Sequence, residues 1–312
     1  MPLTPSQSSK PKTHYTIEID STQQKRLQEW CDEKLWEPFS VDYACFAYRN
    51  KRFKTTLVAY QSGKLVVSGK GTEEFISHVL EPEITGNARL GYEEVHHPEW
   101  FDPHAGLDEA GKGDLFGPVV CATVIAEGQH VRQWLKDGIT DSKKINDKRI
   151  LELEKIIRAT PGVAVEAAWC GMPKYNELMA KPNANLNHLI AWLHARALDK
   201  ALEKKPVSWG LLDQFSKQPL VQRRIKTANF DLQMRTRAES DPIVAAASII
   251  ARGTFIREME KLGERYGEPL RKGASAQVKA QAKQLITKLG PQELPNYAKM
   301  HFKTATEALK GL

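Results

Sequence analysis

The chain has 312 residues, 41% hydrophobic and 27% charged, the balance of a soluble globular protein long enough for two domains. Its net charge of +7 favours a polyanionic partner, because lysine and arginine that neutralise phosphates release condensed counterions. No run of about 18 apolar residues is present and the N-terminal stretch lacks a signal-peptide core, so no membrane association is expected and the expected location is the cytoplasm.

Residues 1–12 form a polar stretch expected to be disordered. "HYTIEI" then reads as a strand and "STQQKRLQEWCDEK" as a helix capped by Ser21. Three runs rich in β-branched and aromatic residues follow, "SVDYACFAYRN", "FKTTLVAYQSG" and "KLVVSGKG". Asn50, Gly63 and Gly69 punctuate them, the pattern of an antiparallel meander. "TEEFISHVLEPEI" is a predicted helix. Residues 13–85 are thus expected to form an α+β domain, and residues 86–103, without sustained periodicity, a linker.

From residue 104 the grammar changes to buried strands alternating with helices, which predicts an α/β domain with a mixed sheet. "GPVVCATVIAEG" suits a central strand, "DKRILELEKIIRAT" a helix opened by Asn146, and "GVAVEAAWC" another strand. "NLNHLIAWLHARALDKALEKK" is a long amphipathic helix, and "PVSWGLLD" a strand ending in Asp213. "LQMRTRAES" reads as a strand delivering Glu239 at its end, followed by a helix with Asp241 as cap and Pro242 at its first position. The four cysteines, Cys31, Cys45, Cys121 and Cys170, show neither metal-ligand nor disulfide-framework spacing.

The segment "GLDEAGKG", residues 106–113, has the glycine and lysine skeleton of a phosphate-cradling loop but fails as one. Asp108 and Glu109 would repel phosphate, and Gly113 replaces the hydroxyl residue that would hold magnesium. The acids make chemical sense if they bind a metal ion and the ion binds phosphate. Such a site needs about four carboxylates from separate segments, and Asp108, Glu109, Asp213 and Glu239 each stand where an apolar run gives way to polar sequence. Gly111 and Gly113, flanking Lys112, would let bare backbone approach a sugar or phosphate. Histidines 96, 97, 188 and 194 read as structural or solvated.

"LDEAGKGDLFGPVV", "TDSKKI", "LLDQF", "RAESDPIVAAASIIAR" and "NYAKMHFK" together resemble the type 2 ribonucleases H, and the glutamate at position 239 is similar to the ribonuclease HIII branch rather than the ribonuclease HII branch. The resemblance implies a ribonuclease H-like catalytic domain over residues 104–312 and an N-terminal domain resembling the TATA-binding protein, which binds substrate. It implies that Asp108, Glu109, Asp213 and Glu239 bind Mg²⁺, with Mn²⁺ as a possible substitute, and catalyse two-metal-ion cleavage of the RNA strand of RNA/DNA hybrids. It implies products with 3′-hydroxyl and 5′-phosphate ends. Gly111, Lys112, Gly113 and Lys143 are implied nucleic-acid contacts, Lys112 standing where that branch often has threonine and resembling the arginine of the ribonuclease HII loop. No small-molecule cofactor is expected, and a monomer is. Tyr43, Phe46, Tyr48, Arg49, Lys51, Arg52 and Lys54 are candidates for a binding platform on the first domain. The competing readings are ribonuclease HII-like excision of single ribonucleotides and a non-catalytic hybrid- or DNA-binding protein.

Overall fold

The computed structural model describes residues 13–86, 97–139 and 145–310, which separate between Glu99 and Trp100 into two units. The N-terminal stretch 1–12 and most of the expected linker therefore lie outside the described residues.

In the first unit, β1 (His14–Glu18), α1 (Ser21–Glu33), β2 (Glu37–Pro38), β3 (Ala44–Asn50), β4 (Thr55–Tyr60) and β5 (Lys64–Gly69) precede a helical turn α2 (Thr72–Phe75) that continues as a wider helix, Ile76–Thr85. The sheet order is β1-β5-β4-β3-β2, antiparallel throughout. Side chains alternate across a strand, and here the alternation decides which face is covered. Leu57, Ala59, Leu65 and Val67 are buried with Leu27 and Cys31 of α1 and with Ile76 and Leu80 of the second helical segment. Truncating such a residue, as in Leu57→Ala, costs about 2–5 kcal/mol. The other face carries a polar row across all five strands, His14, Ser68, Thr56, Arg49 and Glu37, as the pairing register requires. The cap of α1 is Asp20 rather than Ser21, which is the first helical residue. Asp20 accepts from Gln23 N at 2.8 Å and donates its own N–H to Gln23 Oε1 at 3.1 Å, satisfying two otherwise orphaned donors.

The second unit comprises β6 (His104–Ala110), β7 (Val120–Ala126), α3 (Gly128–Asp137), α4 (Asp147–Ala159), β8 (Ala164–Trp169), α5 (Met172–Met179), α6 (Leu186–Lys204), β9 (Trp209–Asp213), β10 (Asp231–Arg235), α7 (Pro242–Tyr266), α8 (Ala276–Leu289) and α9 (Lys303–Lys310). The sheet order is β10-β9-β6-β7-β8. β6 with β9 and β9 with β10 are parallel, and the other pairs are antiparallel, which makes the sheet mixed. Helices cover both faces, so β7 is buried at every position and reads as a continuous apolar run.

Two expectations change here. The acids of "GLDEAGKG" lie in β6, not in a loop, because β7 and β9 pair with that segment on both sides. Glu239 lies in a tight helical turn, Ala238–Ser240, because β10 already ends at Arg235. The cap of α7 is as expected: Asp241 Oδ1 accepts from Ile243 N at 2.7 Å and Val244 N at 3.3 Å, with Pro242 first in the helix.

Candidate active site

Successive residues of a strand face opposite ways, and β6 divides its two acids accordingly. Asp108 lies on the face covered by α7, where Ser248 hydrogen-bonds its carboxyl. Glu109 lies on the face covered by α6, with Oε2 3.2 Å from His194 Nε2 and Oε1 3.9 Å from Lys112 Nζ. Gly106 explains how α7 comes so close, since a Cβ there would stand 2.4 Å from the Ile243 backbone.

β9 runs parallel beside β6 with Leu107 opposite Leu212, so the next residue, Asp213, falls on the side of Asp108. Asp213 Oδ1 accepts from Ala238 N at 3.1 Å, which ties the turn bearing Glu239 to the end of β9. Burial, then the Glu109 charge, and further the Asp213 charge push the Asp108 carboxyl up to about 7, against the lowering pull of Ser248 and of Glu109 N–H. The fold thus brings Asp108 and Asp213 together on one face, ties the turn that bears Glu239 to the end of β9, and leaves Glu109 on the other face, engaged by His194 and Lys112. Among the described residues, no three His, Cys, Asp or Glu side chains form a ready-made metal cage. The donor set nevertheless fits a hard divalent cation. It is all oxygen, and a positive charge would relieve the burial and repulsion recorded in the raised Asp108 carboxyl.

The turn after β6 is held from within. Gly111 has φ +85°, and a Cβ there would meet Pro118 O at 2.2 Å, so the chain itself demands glycine. Gly113 differs: a Cβ would meet nothing within 4 Å, and internal packing does not account for its missing side chain. Lys112 Nζ sits 5.4 Å from the centroid of the Phe215 ring. Lys143 lies outside the described residues.

Two buried polar contacts near the site escape the sequence reading. His194, expected to be structural, is fully buried, and its ring stacks on Phe215 at 5.6 Å and 16° while Nε2 meets Glu109. Its helical spacing carries no signal that distinguishes it from an ordinary core residue. Lys299 is also fully buried, its Nζ donating to Asp114 O at 2.7 Å and to Gly117 O. Burial pushes its ammonium down to about 7, partly offset by Asp114. Gly117 N→Tyr297 O at 3.0 Å and Leu115 N→Gly273 O at 2.9 Å complete this clamp on the turn. A lysine inside "NYAKMHF" is the only sequence hint. Nearby, Asp241 Oδ2 meets His104 Nε2 at 3.1 Å, linking the start of β6 to the cap of α7.

The family model for ribonuclease HII matches residues 105–305. Ribonuclease HIII of Chlamydia caviae is 40% identical over 287 residues, 90% of this chain and 92% of its own length. Ribonuclease HIII of Chlamydia trachomatis serovar L2 is 41% identical over 289 residues, 91% of this chain and 93% of its own length. The crystal structure of Bst-RNase HIII in complex with Mn²⁺ superposes with a TM-score of 0.64 at 29% identity, covering 96% of this chain and 98% of that one.

Proposed function

The chain belongs to the ribonuclease HIII family and is a ribonuclease H endoribonuclease, and on that premise we propose that Asp108, Glu109, Asp213 and Glu239 hold divalent cations at which the RNA strand of an RNA/DNA hybrid is cut. The observation that carries this reading is the pairing of buried Asp108 with Asp213 on one face of the sheet, with the Asp108 carboxyl raised to about 7. Carboxylates crowded in this way destabilise a protein unless a cation joins them. Mg²⁺, or Mn²⁺ in its place, supplies when bound an activated water and charge stabilisation at the leaving oxygen, the two-ion route to 3′-hydroxyl and 5′-phosphate ends. Bst-RNase HIII, crystallised with Mn²⁺, supports that cation chemistry.

The protein's own groups do the rest. Ser248 and the Glu109 N–H fix the orientation of Asp108, and Ala238 N–H fixes Asp213. The open space at Gly113 admits a ribose or phosphate to the backbone, while Gly111 and the Lys299 clamp hold the turn in shape and Lys112 adds charge. Lys143 is assigned a phosphate contact on sequence resemblance alone.

We read the first unit, residues 13–85, as a substrate-binding domain resembling the TATA-binding protein. Support comes from a five-stranded antiparallel sheet with both helical segments on one face and the polar row of His14, Ser68, Thr56, Arg49 and Glu37 on the other. Among the aromatic candidates for that platform, Tyr48 belongs instead to the core, where its hydroxyl donates to Asp32 at 2.5 Å, and Phe46 packs beside it. Tyr43 is exposed, and Lys51, Arg52 and Lys54 lie at the β3–β4 turn.

The test is Asp213→Asn. Cleavage should fall by about a thousandfold while hybrid affinity holds. Wild-type turnover in that variant would contradict the site.

A further inference from the structure

The environment of Glu109 points to a role for α6 in the reaction, and it rests on the cation site proposed above. Glu109 is the one acid of the four that lies on the α6 face, and its two oxygens have different partners. Oε2 lies 3.2 Å from His194 Nε2, deep in the protein, and Oε1 lies 3.9 Å from the half-exposed Lys112. His194 is fully buried. A ring nitrogen facing a carboxylate must carry a hydrogen, so the proton sits on Nε2. Among the described residues Nδ1 has no hydrogen-bond partner, so the polar contact that fixes the ring there is Glu109. The aromatic face of Phe215, two residues beyond Asp213, stacks on the imidazole at 5.6 Å and 16° and so fixes its tilt. The same ring takes Lys112 at 5.4 Å. Four residues from three segments, Glu109, Lys112, His194 and Phe215, thus form one linked set.

We propose that His194 is a positioning residue: its Nε2–H and the stacked Phe215 ring hold Glu109 Oε2 inward, so that Oε1, beside Lys112, is the oxygen that would be left to serve a cation. A carboxylate held at one oxygen offers its other oxygen in a single direction. A free glutamate at a strand end would sample several rotamers and lose that preference each time it bound.

The test uses the full chain with His194→Leu, His194→Gln and His194→Asn. Leucine removes the donor but keeps an apolar filling. The glutamine amide reaches the place of Nε2, whereas the asparagine amide reaches only that of Nδ1. Mn²⁺ affinity is measured by calorimetry without substrate, followed by kcat and KM on a hybrid and the unfolding midpoint in chelator. Leucine and asparagine should weaken Mn²⁺ binding about tenfold and lower kcat, with KM changed by less than about twofold, and glutamine should restore most of the affinity. Wild-type Mn²⁺ affinity in the leucine or asparagine variant, or glutamine performing no better than asparagine, would overturn the proposal. Asp213→Asn in the same titration separates the two readings. Undiminished Mn²⁺ binding there would overturn the cation site itself, and His194 with it.

Discussion

Within the first unit, the described helices cover one face of the sheet, so β4 alternates buried Leu57 and Ala59 with half-exposed Thr56 and Val58. The second unit's sheet is covered on both, and β7 is buried along its whole length. A sheet with one open face offers a surface. A sheet closed on both sides can offer only its strand ends, and there the carboxylates of β6 and β9 gather. Binding in the first unit is therefore expected to be spread over many weak contacts, whereas chemistry in the second is concentrated in a few buried groups that work against stability.

The comparison can be sharpened by substitution. Of three such substitutions, Lys299→Met should destabilise the fold most, by about 2 kcal/mol, because the Asp114 and Gly117 carbonyls lose their donor. Burial lowers this lysine below its unfolded value of 10.5, so its charge opposes folding fully below about pH 7, and the opposition fades as pH rises toward 10.5. The stability gap between wild type and variant should accordingly widen between pH 7 and pH 10, as measured by urea unfolding.

Asp108→Asn should act in the opposite sense. A carboxyl raised from 3.8 to about 7 costs the metal-free fold nothing below about pH 4 and its full amount above pH 7. In chelator at pH 8 the variant should melt roughly 5 °C above wild type while losing cleavage, and at pH 4 the two midpoints should converge. A variant less stable than wild type at pH 8 would show that the acids are already satisfied without a cation.

Val58→Glu, on the open face of the first unit, should have the smallest effect. Placing a negative charge there is expected to weaken hybrid binding about threefold and to leave the melting midpoint and saturated turnover in place. An unchanged affinity would remove that face from the binding surface.

Much of this architecture is legible in the sequence because local chemistry and burial agree there. The β-branched runs at 44–69 form strands, and Asp241 with Pro242 opens α7. Where they disagree, reading fails. Gly106 and the acids of β6 look like loop residues, and only pairing with β7 and β9 makes them a strand. Glu239 sits in a turn because β10 stops short, which no residue between 236 and 238 announces. His194 and Lys299 are buried polar groups whose partners lie 85 and 182 to 185 residues away, and such contacts leave no local pattern.

The central claim is that this chain cuts hybrids through a cation held by Asp108, Asp213 and their neighbours. Its most direct test is cleavage of a labelled RNA/DNA hybrid and of a DNA duplex containing one ribonucleotide, each with Mg²⁺ and with chelator. Cutting of the hybrid alone, abolished by chelation, is the expected result. Cutting beside the single ribonucleotide would reassign the specificity to the ribonuclease HII type, and hybrid cleavage that survives chelation would contradict the cation site.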